Sequence, residues 1–218
     1  MLNKIKTLFF KYRKPLLFFL SLIVFFLILY DVFRYEIIFY DELAHNFLVK
    51  SLRNDSLTTI MKFITNLGSG LVLVLLSFTI FVIVKNKRKG ISIIINLFLI
   101  SFINLILKIL IQRPRPNGFN IINETGYSFP SGHSMVSTAF YGLLIYLSYK
   151  NIKNKILRRS ICIILFFLIV LIGISRIYLG VHYASDVIGG FFLSIAYLII
   201  FIEIVPKFLK IIDDGIKR

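Results

Sequence analysis

The sequence predicts an all-α membrane protein, one bundle of six transmembrane helices that occupies residues 1–218 as a single domain. Hydrophobic residues make up 58% of the 218-residue chain, whereas soluble globular domains are about 45–50% apolar. About six apolar runs approach or exceed the ~18 residues that a helix needs to cross a bilayer. Basic residues are concentrated in alternate connections between these runs, as in multi-pass membrane proteins.

The first predicted span covers residues 15–30 and follows a basic start. Signal peptides end in small residues at their cleavage site, but DVFRYE follows this run, so we expect an uncleaved helix. Residues 31–56 form an outer connection, in which apolar residues among charges predict a short helix at the membrane interface. The second span, over residues 57–84, contains the sequence NLGSG, whose glycines allow a kink.

The third span covers residues 91–111 and ends where QRPRP begins, because proline interrupts a helix. Three further spans are predicted over residues 131–149, 160–174 and 185–205. With six spans, both termini lie on the same side of the membrane.

The distribution of charge predicts the orientation. Three segments are strongly basic, namely residues 1–15, 85–90 and 150–159. Because Lys and Arg are enriched in cytoplasmic loops, we expect both termini in the cytoplasm and residues 31–56, 112–130 and 175–185 outside the plasma membrane. A net charge of +16 would suggest nucleic acid as a partner of a soluble protein. Here the loop charges account for it, and no nucleic-acid partner is expected.

Three clusters of polar residues lie in or beside the last two outward segments, where ionised groups near a bilayer indicate function. They are KILIQRPRP (108–116), FPSGHS (129–134) and RIYLGVHYASD (176–186). Lys108, Arg115 and Arg176 supply positive charge that suits phosphate oxygens. Ser131 and Gly132 precede a predicted helix, whose free N–H groups attract anions. The sequence therefore predicts a phosphate pocket at the outer face.

Two histidines and an aspartate would give this pocket its chemistry. His182 and Asp186 are four residues apart and share one face of a helix. A carboxylate bound to one ring nitrogen leaves the other nitrogen as a base or nucleophile. His133 would then protonate the leaving oxygen. The set suits phosphoryl transfer through a phosphohistidine, with fixed cations stabilising the transferred group. We expect no metal and no cofactor.

The three clusters together resemble the type 2 phosphatidic acid phosphatase (PAP2) superfamily, in its membrane-embedded bacterial lipid phosphatase branch. K-x6-R-P matches Lys108, Arg115 and Pro116, and PSGH stands at residues 130–133. S-R-x5-H-x3-D matches the stretch 175–186. All three motifs are complete and in the family's order.

The resemblance implies a role for each matched residue. His182 is then the nucleophile and Asp186 orients it, while His133 protonates the leaving group. The phosphate would be held by Lys108, Arg115, Ser131, Gly132 and Arg176. Members of this branch need no metal.

The sequence leaves the roles of two residues open. Only Arg115 has the family's spacing from Lys108, so Arg113 is either a plain loop cation or a second contact to a diphosphate. His45 lies outside every motif and is interpreted as an interfacial residue.

The predicted substrate is a lipid phosphate that presents its head group at the outer surface. Undecaprenyl diphosphate, phosphatidylglycerophosphate and phosphatidic acid are the candidates that the resemblance implies. Membrane lipids are the only other expected partners, with no obligatory protein partner.

Three other kinds of protein could carry such polar clusters. A protein that binds or transports phosphate lipids without hydrolysis would place its charges near the midplane, whereas these lie at one face. A metal-dependent hydrolase would use His133, His182 and Asp186 as ligands, but the neighbouring cations would repel the metal. Vanadium-dependent haloperoxidases share the pocket pattern, but those enzymes are soluble.

Overall fold

Every regular element of the described chain is helical, which confirms the predicted all-α class. The structure is a computed structural model that describes the backbone of residues 2–35 and 37–216 and the side chains of residues 12–35 and 37–209. Its helices are α1 (Leu2–Arg34), α2 (Phe39–His45), a π-helical segment (Asn46–Ser51), α3 (Asp55–Asn66), α4 (Gly70–Ile83), α5 (Lys87–Ile111), α6 (Gly132–Asn151), α7 (Lys155–Tyr178) and α8 (Ala184–Ile216).

Four helices, α1, α5, α7 and α8, are long and apolar enough to cross a membrane, and α3 with α4 would make a fifth span if counted together. The chain is therefore a multi-pass membrane protein, as predicted. The prediction of six spans is confirmed only in part, because α6 is not among the helices that its composition marks as a span.

Helix α6 differs from the others because it lies inside the bundle. It packs against α5, α7 and α8, and its buried residues include polar Ser134, Ser137 and Thr138 beside Met135 and Phe140. A helix that is shielded from lipid by its neighbours can carry polar side chains on several faces. This explains why hydropathy alone does not mark it.

The predicted kink at NLGSG is confirmed as a full break. Helices α3 and α4 meet at an angle of 49°, and the Ser69 hydroxyl accepts the N–H of Val72 to cap α4 at 3.4 Å. Gly68 lies so close to α7 that a Cβ atom there would come within 2.6 Å of Ile172 Cγ2. The glycine thus allows the broken pair to approach α7.

Helix α2 and the π-helical segment lie over the end of the bundle that carries the three motifs. Tyr40, Ala44 and Leu48 pack against buried residues of α7 and α8, including Ile177 and Val187. The short helix predicted in the outer connection is therefore present, and apolar contacts fix it to the two helices that flank residues 179–183.

The charges on which the orientation depends are only partly described. The side chains of Lys4, Lys6 and Lys11 lie outside the described residues, as does Glu36 in the outer connection.

Candidate active site

The three predicted clusters meet at one end of the bundle, around a cavity of about 340 Å³. The polar residues that line it include Lys108, Arg115, Glu124, His133 and His182. An adjoining cavity of about 450 Å³ is lined by His133, Glu124 and Arg176 together with residues of α3. Residues from α3, α5, α6, α7 and two connections thus line two adjoining cavities.

The contacts of His182 define its tautomer. Its Nδ1 atom lies 3.2 Å from Asp186 Oδ2, and its Nε2 atom lies 3.2 Å from Arg115 Nη1. A guanidinium group donates hydrogen bonds and accepts none. Nε2 must therefore be the unprotonated acceptor, and Nδ1 carries the proton that it donates to Asp186.

The surroundings of His182 favour the neutral ring. The side chain is 3% exposed and lies between α7 and α8. Burial lowers the pKa of His182 well below its ordinary value, and nearby Arg176, Lys108 and Arg115 lower it further. The result is a neutral imidazole whose Nε2 lone pair is on the cationic side of the ring.

Asp186 is held by donors on both carboxylate oxygens. Its Oδ2 atom accepts the Tyr183 N–H at 2.9 Å as well as the His182 proton, so the side chain reaches back over the first turn of α8 in the manner of a capping box. Its Oδ1 atom accepts from Arg113 Nη1 at 2.7 Å. Asp186 is completely buried.

Arg115 and Lys108 join the connection between α5 and α6 to the rest of the site. Arg115 donates to the carbonyl oxygens of Gly126 (3.0 Å), Thr125 (3.1 Å) and Val181 (2.9 Å). Lys108 Nζ donates to the Tyr127 carbonyl and, at 3.4 Å, to the Ser128 carbonyl. Both cations line the 340 Å³ cavity.

Arg176 is almost completely buried, with 1% of its surface exposed. Its Nη1 atom donates to Thr65 Oγ1 at 2.8 Å, and Nη2 forms an ion pair with Glu124. No described residue accepts a hydrogen bond from its buried Nε atom. One donor of this guanidinium is therefore still available to an anion.

Glu124 is a site residue that sequence reasoning missed. Its carboxylate pairs with Arg176 and lies 3.9 Å from Arg115 Nη2. Burial alone would raise the pKa of Glu124, but Arg176 more than offsets this and holds the pKa below its usual value. The Glu124 carboxylate thus pairs with two of the cations that are predicted to hold phosphate. The available signal was that Glu124 is the only acidic residue in the segment 112–130.

The PSGH motif forms the start of α6. The Ser131 N–H donates to the Asp186 carbonyl at 3.0 Å, and its hydroxyl caps the helix by accepting the Ser134 N–H at 3.4 Å. Asn104 Nδ2 donates to the Pro130 carbonyl at 3.0 Å and holds the turn against α5. Gly132 lines the cavity beside His133, whereas Ser131 is completely buried.

The comparisons identify the family of this chain. A sequence model of the PAP2 superfamily matches residues 89–210, more than half of the chain. The chain belongs to the PAP2 superfamily. The resemblance predicted from the three motifs is thus confirmed.

Several relatives of this PAP2 protein are known by name. Phosphatidylglycerophosphatase B of Bacillus subtilis is 33% identical over 205 residues, which cover 91% of this chain and 96% of that protein. Undecaprenyl-diphosphatase of Sulfolobus acidocaldarius is 25% identical over 184 residues, covering 80% of this chain and 79% of its own.

A similar fold has been solved by crystallography. The crystal structure of a transmembrane PAP2-type phosphatidylglycerolphosphate phosphatase from Bacillus subtilis matches with a TM-score of 0.74 and 31% identity. The match covers 95% of this chain and 98% of that one. The helical arrangement of this PAP2 protein therefore agrees with that of an experimental structure along nearly its whole length.

Neither interpretation of Arg113 describes its place in this PAP2 protein. It is buried, with both terminal nitrogens bonded: Nη1 to Asp186 and Nη2, at 2.9 Å, to Asp41 of α2. It is therefore not a solvated loop cation, and these nitrogens are already occupied by carboxylates. A spacing rule along the chain gave no indication of Asp41, which lies in a different part of the sequence.

His45 has an aromatic neighbour. Its ring lies edge-on to Phe119 with the centroids 4.5 Å apart. It lines a separate cavity of about 200 Å³, whose walls also include His182 and Tyr183. Its place at the membrane interface stays a prediction.

Proposed function

We propose that this PAP2 protein hydrolyses the phosphate of a membrane lipid by a metal-independent phosphohistidine mechanism at the outer face of the plasma membrane. The broader prediction, a membrane lipid phosphatase, is confirmed by the family and by the relatives. The observation that carries the detailed proposal is the fixed tautomer of His182, with Nδ1 on Asp186 and Nε2 among cations.

In the first step, His182 Nε2 attacks the phosphorus atom, and the bond to the lipid oxygen breaks. His133, which lines the same cavity, donates a proton to that oxygen as it leaves. Asp186 stabilises the Nδ1–H of the ring while the Nε2–P bond forms. In the second step, His133 accepts a proton from a water molecule that attacks the phosphohistidine, and inorganic phosphate leaves.

Lys108, Arg115 and Arg176 would stabilise the charge that develops on the phosphoryl oxygens. The Nε–H of Arg176, which no described residue accepts, supports this role, since a buried donor without an acceptor is unusual. The N–H groups of Gly132 and the following turn would add the positive end of α6, which the Ser131 hydroxyl caps. Glu124 must leave the arginines when phosphate binds.

The lipid tail would reach this site from the bilayer along α5. Leu105 and Ile109 line the cavity beside Lys108 and are both more than half exposed, so apolar surface leads to the phosphate-binding cations. Phosphatidylglycerophosphate is our first candidate, because the relative named for it aligns with this chain over almost its full length. Undecaprenyl diphosphate is the second candidate, and phosphatidic acid is the third.

We further propose that α6 is the sixth span, that both termini are cytoplasmic, and that the site faces outward. A helix of 20 residues is about 30 Å long, which is the thickness of a bilayer core. The basic connections 85–90 and 150–159 would then lie inside. Single cysteines introduced at Asn120 and Asn86 in a Cys162→Ser chain test this. A membrane-impermeant maleimide should label only Asn120→Cys in intact cells, and the opposite result would reverse the orientation.

Phosphate release by the purified protein tests the proposed function. The three candidate lipids would be offered in parallel with excess EDTA, next to the His182→Asn variant. Release by the wild type that resists EDTA and is lost in the variant is the expected result. Tight binding of a lipid phosphate without release would support the alternative, a binding or transport protein, and EDTA-sensitive release would overturn metal independence.

A further inference from the structure

A buried charge network joins α2 to the proposed nucleophile. We propose that Arg113 and Asp41 are positioning residues, which hold the Asp186 carboxylate in the orientation that directs His182 towards phosphate. The proposal rests on the proposed function, because it assigns how the nucleophile of that reaction is held. Neither residue occupies a fixed position of the matched motifs, although Arg113 lies within the stretch 108–116, and neither lines the 340 Å³ cavity.

Arg113 is held by hydrogen bonds from both terminal nitrogens and by an aromatic ring against the guanidinium. Nη1 donates to Asp186 Oδ1 at 2.7 Å and to Ser185 Oγ at 2.6 Å, and Nη2 donates to Asp41 Oδ2 at 2.9 Å. The Tyr183 ring lies 4.1 Å from the guanidinium carbon, within the range of a cation–π contact. A lysine could supply the charge but not this planar set of donors.

Asp41 supplies the fixed end of the network. Its Oδ1 atom accepts the Ser185 N–H at 2.7 Å, and Oδ2 accepts the Ser185 hydroxyl at 2.7 Å in addition to Arg113. The Ser185 N–H belongs to the first turn of α8, where helix donors have no partner within the helix. One carboxylate from α2 therefore holds both the start of α8 and the guanidinium of Arg113.

The consequence for His182 follows from the geometry of one carboxylate. Asp186 binds Arg113 through Oδ1 and His182 through Oδ2. These oxygens share a rigid plane, so Arg113 fixes the rotation of the carboxylate and thereby the direction in which Oδ2 meets the ring. Because Oδ2 fixes the Nδ1–H tautomer, the arrangement also determines that Nε2 keeps its lone pair.

The network also keeps the charges in place. Burial alone would lower the pKa of Arg113, but Asp186 and Asp41 outweigh it and raise that pKa. The guanidinium is therefore charged at any pH at which the protein is studied. A buried carboxylate is stable only with such a partner, and an ionised Asp186 is what the charged transition state of the ring requires.

Arg113→Lys and Asp41→Asn are the variants that test the proposal, and Arg53→Lys is the matched control. Arg53 lies at the same end of the bundle and donates to the carbonyls of Tyr178 and Phe119, and these hydrogen bonds do not involve Asp186. Each change is made alone and together with Asp186→Asn. We would measure kcat, KM and the thermal midpoint on one lipid phosphate in detergent.

A positioning role predicts a loss in kcat of about 10–100-fold for Arg113→Lys, the scale on which outer partners of reactive histidines act. KM should change by less than about threefold. In the Asp186→Asn chain, Arg113→Lys should cost less than about threefold more, because the residue through which it acts is already altered. The losses in kcat caused by Arg53→Lys and by Asp186→Asn should instead multiply in the double variant, whatever Arg53→Lys does to the thermal midpoint.

Multiplicative effects of Arg113→Lys and Asp186→Asn, or a change in KM alone, would overturn the proposal while leaving the phosphatase activity of the wild type intact. A second measurement does not depend on turnover. Diethyl pyrocarbonate acylates an unprotonated ring nitrogen, and peptide mass spectrometry reports its rate at His182. Arg113→Lys should slow this rate by about threefold or more, and Arg53→Lys should not. An unchanged rate in Arg113→Lys would overturn the proposal even if no lipid tested were a substrate.

Discussion

The two ring nitrogens of His182 face different surroundings. On the Nε2 side, Arg115 and Arg176 face a cavity, and their ion-pair partner Glu124 is about a quarter exposed on an irregular connection. On the Nδ1 side, Asp186, Arg113 and Asp41 are buried and satisfy one another. A site that must admit and release phosphate needs partners that can exchange on one side. The other side can be fixed, because nothing passes through it.

This contrast orders the expected effects of mutation. The fixed side should act on kcat through the nucleophile, while the exchangeable side should act on kcat/KM and on the affinity for inorganic phosphate. A variant whose effect falls on the other quantity would contradict that division.

The largest effect is expected for His182→Asn. Without Nε2 no phosphohistidine can form, and turnover should fall by about 10⁴-fold or more, as for other removed nucleophiles. His45→Asn is the matched control, since His45 packs on Phe119, and it should hydrolyse lipid at the wild-type rate. Near-normal turnover of a folded His182→Asn variant would mean that another group attacks the phosphorus.

Arg176→Lys should lower kcat/KM by about 10²–10³-fold, the scale of losing one preorganised donor to a developing oxyanion. Lysine keeps the charge but loses the Nε–H that is unpaired in the described residues. Steady-state kinetics on a single lipid phosphate measure the effect, with Arg53→Lys as the control. A loss no larger than that of the control would mean that Arg176 is not one of the phosphate-binding residues on the Nε2 side.

The activity in acid should be higher than an ordinary histidine nucleophile would allow. Protonation of His182 removes its nucleophilic lone pair, and burial and the cations lower its pKa below 6.5. Activity should therefore persist below pH 6.5 and decline only as the pH falls through the lowered pKa. The measurement is kcat/KM from pH 4.5 to 8, corrected for substrate ionisation by ³¹P titration. An acid limb at pH 6.5 would show that the cations do not act on His182 in solution.

The smallest effect is expected for Glu124→Gln. In the proposed mechanism the glutamate competes with phosphate for Arg115 and Arg176, so its neutralisation should lower the inhibition constant of inorganic phosphate by about two- to fivefold. Glu42→Gln, an exposed acid of α2, serves as the control. A raised inhibition constant would mean that Glu124 holds the arginines in place and does not compete with phosphate.

Much of the fold could be predicted because apolar length alone specifies a lipid-facing helix. Helices α1, α5, α7 and α8 belong to this class. Helix α6 was placed correctly by its PSGH start, although its polar buried residues weaken the apolar signal. The ends of α7 and α8 extend beyond their predicted bounds, because an apolar run does not mark where a helix continues into polar surroundings.

Part of the site could likewise be predicted from local spacing, whereas part depends on contacts between segments that are distant in the sequence. The i, i+4 spacing predicted a contact between His182 and Asp186, and the structure shows it at 3.2 Å. His182 nevertheless lies before Ala184, where α8 begins, so the two residues do not share a face of one helix as predicted. The pairing of Asp41 with Ser185 joins positions 144 residues apart, and no periodicity links them. Glu124 lies on an irregular connection, where side-chain direction depends on tertiary contacts with Arg176 and Arg115.

In the proposed mechanism the phosphoryl group is transferred to His182, and trapping of this intermediate is the decisive experiment. Excess enzyme would be mixed with ³²P-labelled lipid phosphate in EDTA, quenched in base within milliseconds, and digested for peptide mapping. We expect base-stable, acid-labile label on the peptide that contains His182, formed before phosphate release and absent from His182→Asn. Phosphate release with no protein-bound label at any time, or with label on another residue, would contradict the proposed mechanism.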